Sequence, residues 1–139
     1  IRLVMTIKQI GEEIRQIRQR QEVLFQFLAE RGLFCNSVYR VERGENYALG
    51  TLFRYTYYLN ARLTLDGVDM STAEELGQVL HQRRTEHGQS LRAVAEATGL
   101  SERQIIDIEK ARGGKVESLE RYLDELGARL NVRELNYGA

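Results

Sequence analysis

Asn36, Ser37, Tyr39, Arg40 and Arg43 fall within eight consecutive positions, and Gln89, Arg92, Ser101, Arg103 and Gln104 form a second, looser set. Arginine presents a planar fork that matches a guanine edge. Asparagine and glutamine pair a donor with an acceptor, as adenine requires. Serine and tyrosine hydroxyls, and further arginines, reach phosphate oxygens. Together these are the groups for reading duplex DNA by hydrogen bonding, with no covalent step. Little else in the chain reacts. His81 and His87 are six positions apart, which is not a one-face ligand spacing, and no Cys/His/Asp cluster joins them. Gly113-Gly114-Lys115 lacks the strand and the Lys-Ser/Thr order of a phosphate loop. Cys35 is the only cysteine and is expected to fill a helix-cap position as a small buried residue. No Ser/His/Asp, Cys/His or paired-carboxylate motif is present. The expectation is therefore no catalytic residue, no metal, no cofactor and no enzyme.

The elements that must position these groups come in two copies. LFRYTYYLNARL, Leu52 to Leu63, returns as LERYLDELGARL, Leu119 to Leu130, with seven of twelve positions identical at a spacing of 67. Carried backwards, Val38, Val41 and Glu42 match Ile105, Ile108 and Glu109, and Gly32-Leu33 matches Gly99-Leu100. Further back the spacing drops to 66: Ile10-Gly11 matches Leu76-Gly77, Ile14 matches Leu80, and Arg18 matches Arg84. The first copy thus lacks one residue between Arg18 and Gly32. A repeat of this kind implies one supersecondary unit built twice. We place the units at residues 5–68 and 69–139. The link Asp66 to Met70 is too short for a free tether, so the units should pack together.

Composition narrows the class. The 139 residues carry twenty Lys/Arg and twenty Asp/Glu, one cysteine and no proline. No apolar run approaches a membrane span, and no signal-peptide pattern is present. A single cysteine fits a reducing compartment, so a cytoplasmic, bacterial or phage-encoded protein is expected. Charge is uneven. Residues 1–68 hold ten Lys/Arg against seven Asp/Glu, a net +3. Residues 69–139 hold ten against thirteen, a net −3.

The second copy reads as four helices and a strand. Ser71, Ser90, Ser101 and Ser118 are the expected caps of helices 72–86, 91–97, 102–110 and 119–126. Gly88, Gly99, Gly113-Gly114 and Gly127 are the breaks, and Arg129 to Arg133 alternates as a strand. In the first copy Asn36–Arg43 is the third helix and Arg62–Asp66 the strand. Leu52, Tyr55 and Leu59 share one helical face, which makes Tyr55 and Tyr122 core residues. Phe53, Tyr57 and Tyr58 are likewise expected in packing rather than as a base-stacking platform. Two short helices joined by a glycine turn form the helix-turn-helix pattern, whose second helix enters the major groove.

AVAEATGLSERQIIDIEKAR, Ala93 to Arg112, resembles the Xre-type, Cro/repressor-like helix-turn-helix. The matching features are an alanine in the second helix, glycine in the turn, serine opening the recognition helix, then Ile-x-x-Ile-Glu. FQFLAERGLFCNSVYRVERG, Phe25 to Gly44, departs from it in the turn, where Cys35 takes the serine position. The resemblance implies a small helical bundle in which an arginine of the first helix pairs with the glutamate closing the third. Here those pairs are Arg18–Glu42 and Arg84–Glu109. A bundle followed by a short strand is similar to HipB-type antitoxin repressors, in which strands of two chains pair across a dimer. Two such strands in one chain are expected to pair with each other, making a pseudo-dimer.

The expected fold is thus all-α: two tandem helix-turn-helix bundles, each with a terminal strand. The expected function is sequence-specific binding of duplex DNA as a transcriptional regulator, a repressor acting sterically. A homodimer of such chains would span a longer palindrome. The alternative is an antitoxin or adaptor whose main contact is a toxin or other protein, favoured by the acidic second unit with Glu102 and Asp107.

Overall fold

A computed structural model describes residues 6–135. Met5 and residues 136–139, included in the expected unit boundaries, lie outside them. The first copy folds as α1 (Thr6–Arg20), α2 (Phe25–Ala29), α3 (Cys35–Arg43), α4 (Leu49–Tyr58) and β1 (Ala61–Leu65). β2 (Val68–Met70) follows. The second copy is α5 (Ala73–Glu86), α6 (Leu91–Thr98), α7 (Glu102–Glu109), α8 (Val116–Leu126) and β3 (Leu130–Glu134). The chain is helix-rich with a three-stranded antiparallel sheet in the order β2-β1-β3, rather than all-α.

The third strand was legible and passed over. Asp66 and Gly67 both adopt positive φ, 48° and 85°. That is the two-residue turn whose twist suits a hairpin, and Asp-Gly is among its strongest signals. The stretch Asp66 to Met70 is therefore a hairpin arm and not a link. Two caps also differ. Thr72, not Ser71, caps α5, its hydroxyl accepting from the Glu75 N–H at 3.1 Å. Ser118 lies inside α8, which starts two residues earlier after Lys115. The N–H of Glu117 instead finds the Asn46 side chain, 3.2 Å away in the other copy. Ser90 and Ser101 cap α6 and α7 as expected.

The two copies meet about a pseudo-two-fold axis. In the β1–β3 ladder Leu63 faces Val132, Leu65 faces Leu130, and Thr64 faces Asn131. Thr64 and Asn131 are 67 apart, so at this rung of the ladder a residue pairs with its own counterpart. Ala48 and Lys115, also 67 apart, form an isolated antiparallel bridge. It is closed by Leu49 N–H to Gly114 O and Val116 N–H to Tyr47 O, both 3.0 Å. Two self-equivalent pairings define a dyad. Closing β1 on β3 removes an edge that either strand would expose alone. Leu63, Leu65 and Leu130 join Ile10, Leu52, Leu80 and Leu119 in one continuous apolar core, so neither copy buries its sheet face without the other.

Each copy is set by a close helix crossing. A Cβ on Gly11 would stand 2.3 Å from the Val41 carbonyl oxygen, and one on Gly77 2.2 Å from that of Glu109. Both glycines lie on the first helix of their copy, and both oxygens on the third. No side chain fits between them, so α1 and α5 lie directly on α3 and α7. Gly77→Ala should lower stability by about 1–3 kcal/mol through overpacking. Gly50→Ala, in α4 with open space around it, should raise stability by about 0.5–1 kcal/mol. Urea denaturation of the two variants checks both signs.

Candidate nucleic-acid interface

Beneath each α2–α3 or α6–α7 pair lies a three-residue lock. Arg18 donates to Glu42 through Nε at 2.6 Å and Nη2 at 3.1 Å, and the Tyr55 hydroxyl donates to the same carboxylate at 2.5 Å. In the second copy Arg84 donates to Glu109 at 2.7 and 3.0 Å, and the Tyr122 hydroxyl completes the set. The Arg–Glu pairs were expected. The tyrosines were expected as core, which they are at 0% exposure, but their hydroxyls were not foreseen as partners. Their recurrence 67 apart, beside a recurring glutamate, was the available signal. His81 adds a contact to Glu109 at 3.1 Å.

The electrostatics follow from crowding donors onto a buried acid. Burial pushes Glu109 up, but hydrogen bonds from Arg84, Tyr122 and His81 together outweigh it and hold the carboxyl below its usual range. Burial raises both tyrosines first, and the adjoining carboxylates raise them further, so the hydroxyls stay protonated donors. Hydrogen bonding to its carboxylate raises each arginine above its ordinary value.

The first pair of short helices keeps its turn despite the missing residue. α2 is five residues where α6 has eight, yet Gly32 and Gly99 both turn left-handed, with φ of 86° and 78°. The Leu33 and Leu100 that follow are both buried. Arg54, part of the repeated segment, steadies the first turn by donating to the Arg31 carbonyl at 3.2 Å. The cap position of α3 belongs to Phe34, with no side-chain hydrogen bond, and Cys35 is the first helical residue. Cys35 is exposed, not buried. Counting from the matched Gly32 and Gly99, Ser101 corresponds to Phe34, one residue earlier than expected.

The predicted contact residues divide unevenly. On α3, Asn36 and Arg40 are exposed and make no side-chain hydrogen bond or ion pair among the described residues. Ser37 is half-buried. Tyr39 packs edge-on against Phe25 at 5.2 Å, and the Arg43 guanidinium sits over its ring at 5.2 Å. Arg43 also lies 3.8 Å from Glu45. The second set is more engaged. Ser101 and Gln104 satisfy each other's backbone N–H groups in a capping box. Arg103 pairs with Asp107 at 3.1 Å, and Arg92 with Glu96 at 3.4 Å. Gln89 precedes α6, half-buried, its amide donating to Glu125 at 3.2 Å.

An unforeseen cleft of about 680 Å³ lies between α1 and α3, with Lys8, Arg15, Arg18 and Arg43 against Glu12 and Glu42 on its walls. The positions matching Lys8 and Arg15 in the second copy are Glu74 and His81. Arg15 pairs with Glu12 at 3.4 Å, and Arg43 with Glu45, so the unpaired cations around α3 among the described residues are Lys8 and Arg40. In the second copy Arg92 and Arg103 are paired within their own helices. No protein-family model, curated protein or solved structure matches the chain. No helix among the described residues is long and apolar enough to cross a membrane.

Glu109 gives a pH test. Its folded-state pKa is depressed, so its contribution is fully present above the unfolded carboxylate range and is lost as pH falls through the folded value. Glu109→Gln, which leaves Arg84 buried without its counter-charge, should cost about 3–5 kcal/mol at neutral pH. The gap to the unsubstituted chain should narrow as pH falls below 4.5, the carboxylate's ordinary value. Chemical denaturation across pH reads the gap directly.

Proposed function

We propose that this chain is a sequence-specific DNA-binding regulator built as an intramolecular pseudo-dimer of Xre-type helix-turn-helix units, repressing by occupying its site. The observation that carries the reading is the dyad through Thr64/Asn131 and Ala48/Lys115. A two-fold arrangement of short helix pairs is what binding to successive major grooves requires, with recognition helices about 34 Å apart. α3 ends five residues before Ala48, and α7 six residues before Lys115.

The two halves would contribute differently. α3 brings the unpaired Asn36 and Arg40, with Lys8 available to phosphates and Arg15 and Arg43 shared with Glu12 and Glu45. α7 brings Arg103, which must first leave Asp107. A single chain would therefore prefer an asymmetric site, read mainly through its first half. A second reading, an antitoxin or adaptor that binds chiefly a protein, is favoured by one observation. Leu24 and Phe34, 70% and 63% exposed, stand where the second copy has the capping serines Ser90 and Ser101.

Selection from a random duplex library, followed by titration of the enriched site, tests the reading. Arg40→Ala should weaken binding about tenfold or more and relax one half of the motif. Arg103→Ala should change affinity less, because its charge is already shared with Asp107. Affinity should fall steeply with salt. No enrichment at low salt would end the DNA reading.

A further inference from the structure

The first copy carries a surface stripe that the DNA reading leaves unused. Leu24 and Phe27, three residues apart, lie on one side of α2. The Arg31 guanidinium stacks on the Phe27 ring at 3.6 Å. The Arg31 carbonyl accepts from the Tyr58 hydroxyl at 3.1 Å, and Tyr58 meets Tyr57 edge-on at 5.8 Å. The stripe continues as an open groove of about 530 Å³ that reaches Arg62 on β1 and Met70 on β2. Tyr57 is 77% exposed.

The repeat supplies an internal control. Phe27, Tyr57 and Tyr58 correspond to Ala93, Asp124 and Glu125 in the second copy. The bundle therefore does not need aromatic residues at these positions. Exposed aromatics next to arginines are the composition of an interface centre, where Tyr and Arg carry much of the binding energy. Arg31 and Arg62 are on the groove wall, and no Asp or Glu is among its described lining residues.

We propose that this groove docks an acidic peptide segment of a partner protein, with apolar side chains against Phe27 and Tyr57 and carboxylates at Arg31 and Arg62. The proposal deepens the second reading above and rests on the partner being a protein. Charge supports an acidic ligand, since the first half of the chain is net positive. Ring geometry disfavours unpaired nucleic acid. Stacked bases need open, parallel faces, whereas Phe27 is covered by Arg31 and the two tyrosine rings cross at 67°.

Panning a phage-displayed library of random peptides against the full chain tests this. Acidic peptides with apolar or aromatic anchors should be enriched. Their binding should drop about tenfold or more in Tyr57→Asp, which installs the second copy's residue at an exposed position, and in Arg31→Ala. Circular dichroism and the urea midpoint confirm that the variants fold. Enrichment of basic peptides, no enrichment, or binding that all variants retain would overturn the proposal. Displacement of the peptides by oligo-dT would assign the groove to single-stranded nucleic acid instead and overturn it too. None of these outcomes alters the duplex selection with Arg40→Ala, so the two readings fail separately.

Discussion

The buried carboxylate of Glu42, and its counterpart Glu109, is the constraint on which each half of the molecule depends. A lone acid in an apolar bundle is costly. Here one arginine from the first helix and one tyrosine from the fourth converge on it, so satisfying the acid fixes three helices at once. The isolated pair contributes little net stability once desolvation is counted. Its effect is on geometry: α3 and α7 cannot rotate without stranding a charge. The glycine crossings act in the same direction, because a helix lying backbone to backbone on its neighbour has no side chain with which to adjust.

Duplication has kept those constraints and released others. The locks, the Gly11 and Gly77 crossings and the left-handed turns at Gly32 and Gly99 recur in both copies. The surfaces have diverged. The first copy has the exposed Leu24 and Phe34 where the second has capping serines, together with the aromatic–arginine groove. The second has side-chain caps on α5, α6 and α7 and pairs Arg92, Arg103 and Arg121 within their own helices. A homodimer cannot divide labour in this way, since any change on one half appears on the other. A fused pair can keep one half well capped and give the other a distinct surface.

Much of the scaffold was legible in the sequence, because buried periodicity and repetition are strong signals. The Arg–Glu pairs, the buried face of Leu52, Tyr55 and Leu59, and the pairing of the two terminal strands all appear as read. What was misread depended on a few local choices. Thr72 and Ser71 are equally good caps, and only the helix's exact start selects one. Lys115 precedes α8 without a side-chain cap, because the bridge to Ala48 and the Asn46 side chain supply the partners, and a contact between copies is invisible to local reading. Asp66-Gly67 was legible and was overlooked in favour of a linker. Phe53 is buried and Tyr58 packs half-buried against the core, as expected, but Tyr57 is exposed and defeats the rule that aromatics at helical spacing are core. That rule concerns averages, and Tyr57 lies on the face of α4 opposite the buried Leu52, Tyr55 and Leu59. For the candidate contacts, the sequence placed Asn36, Arg40 and Arg43 on one helix. The bonds that engage Arg92, Arg103 and Gln104 are also legible there, as opposite charges four apart and a Ser-x-x-Gln capping box.

The central claim is that one chain does the work of a two-fold dimer on DNA. Hydroxyl-radical footprinting of the selected duplex, with native mass spectrometry of the same complex, tests it most directly. The account predicts one chain per site and two protected patches on one face of the duplex, about 10 base pairs apart, with deeper protection in the half facing α3. A single patch under one chain, or two patches only when two chains are bound, would contradict it.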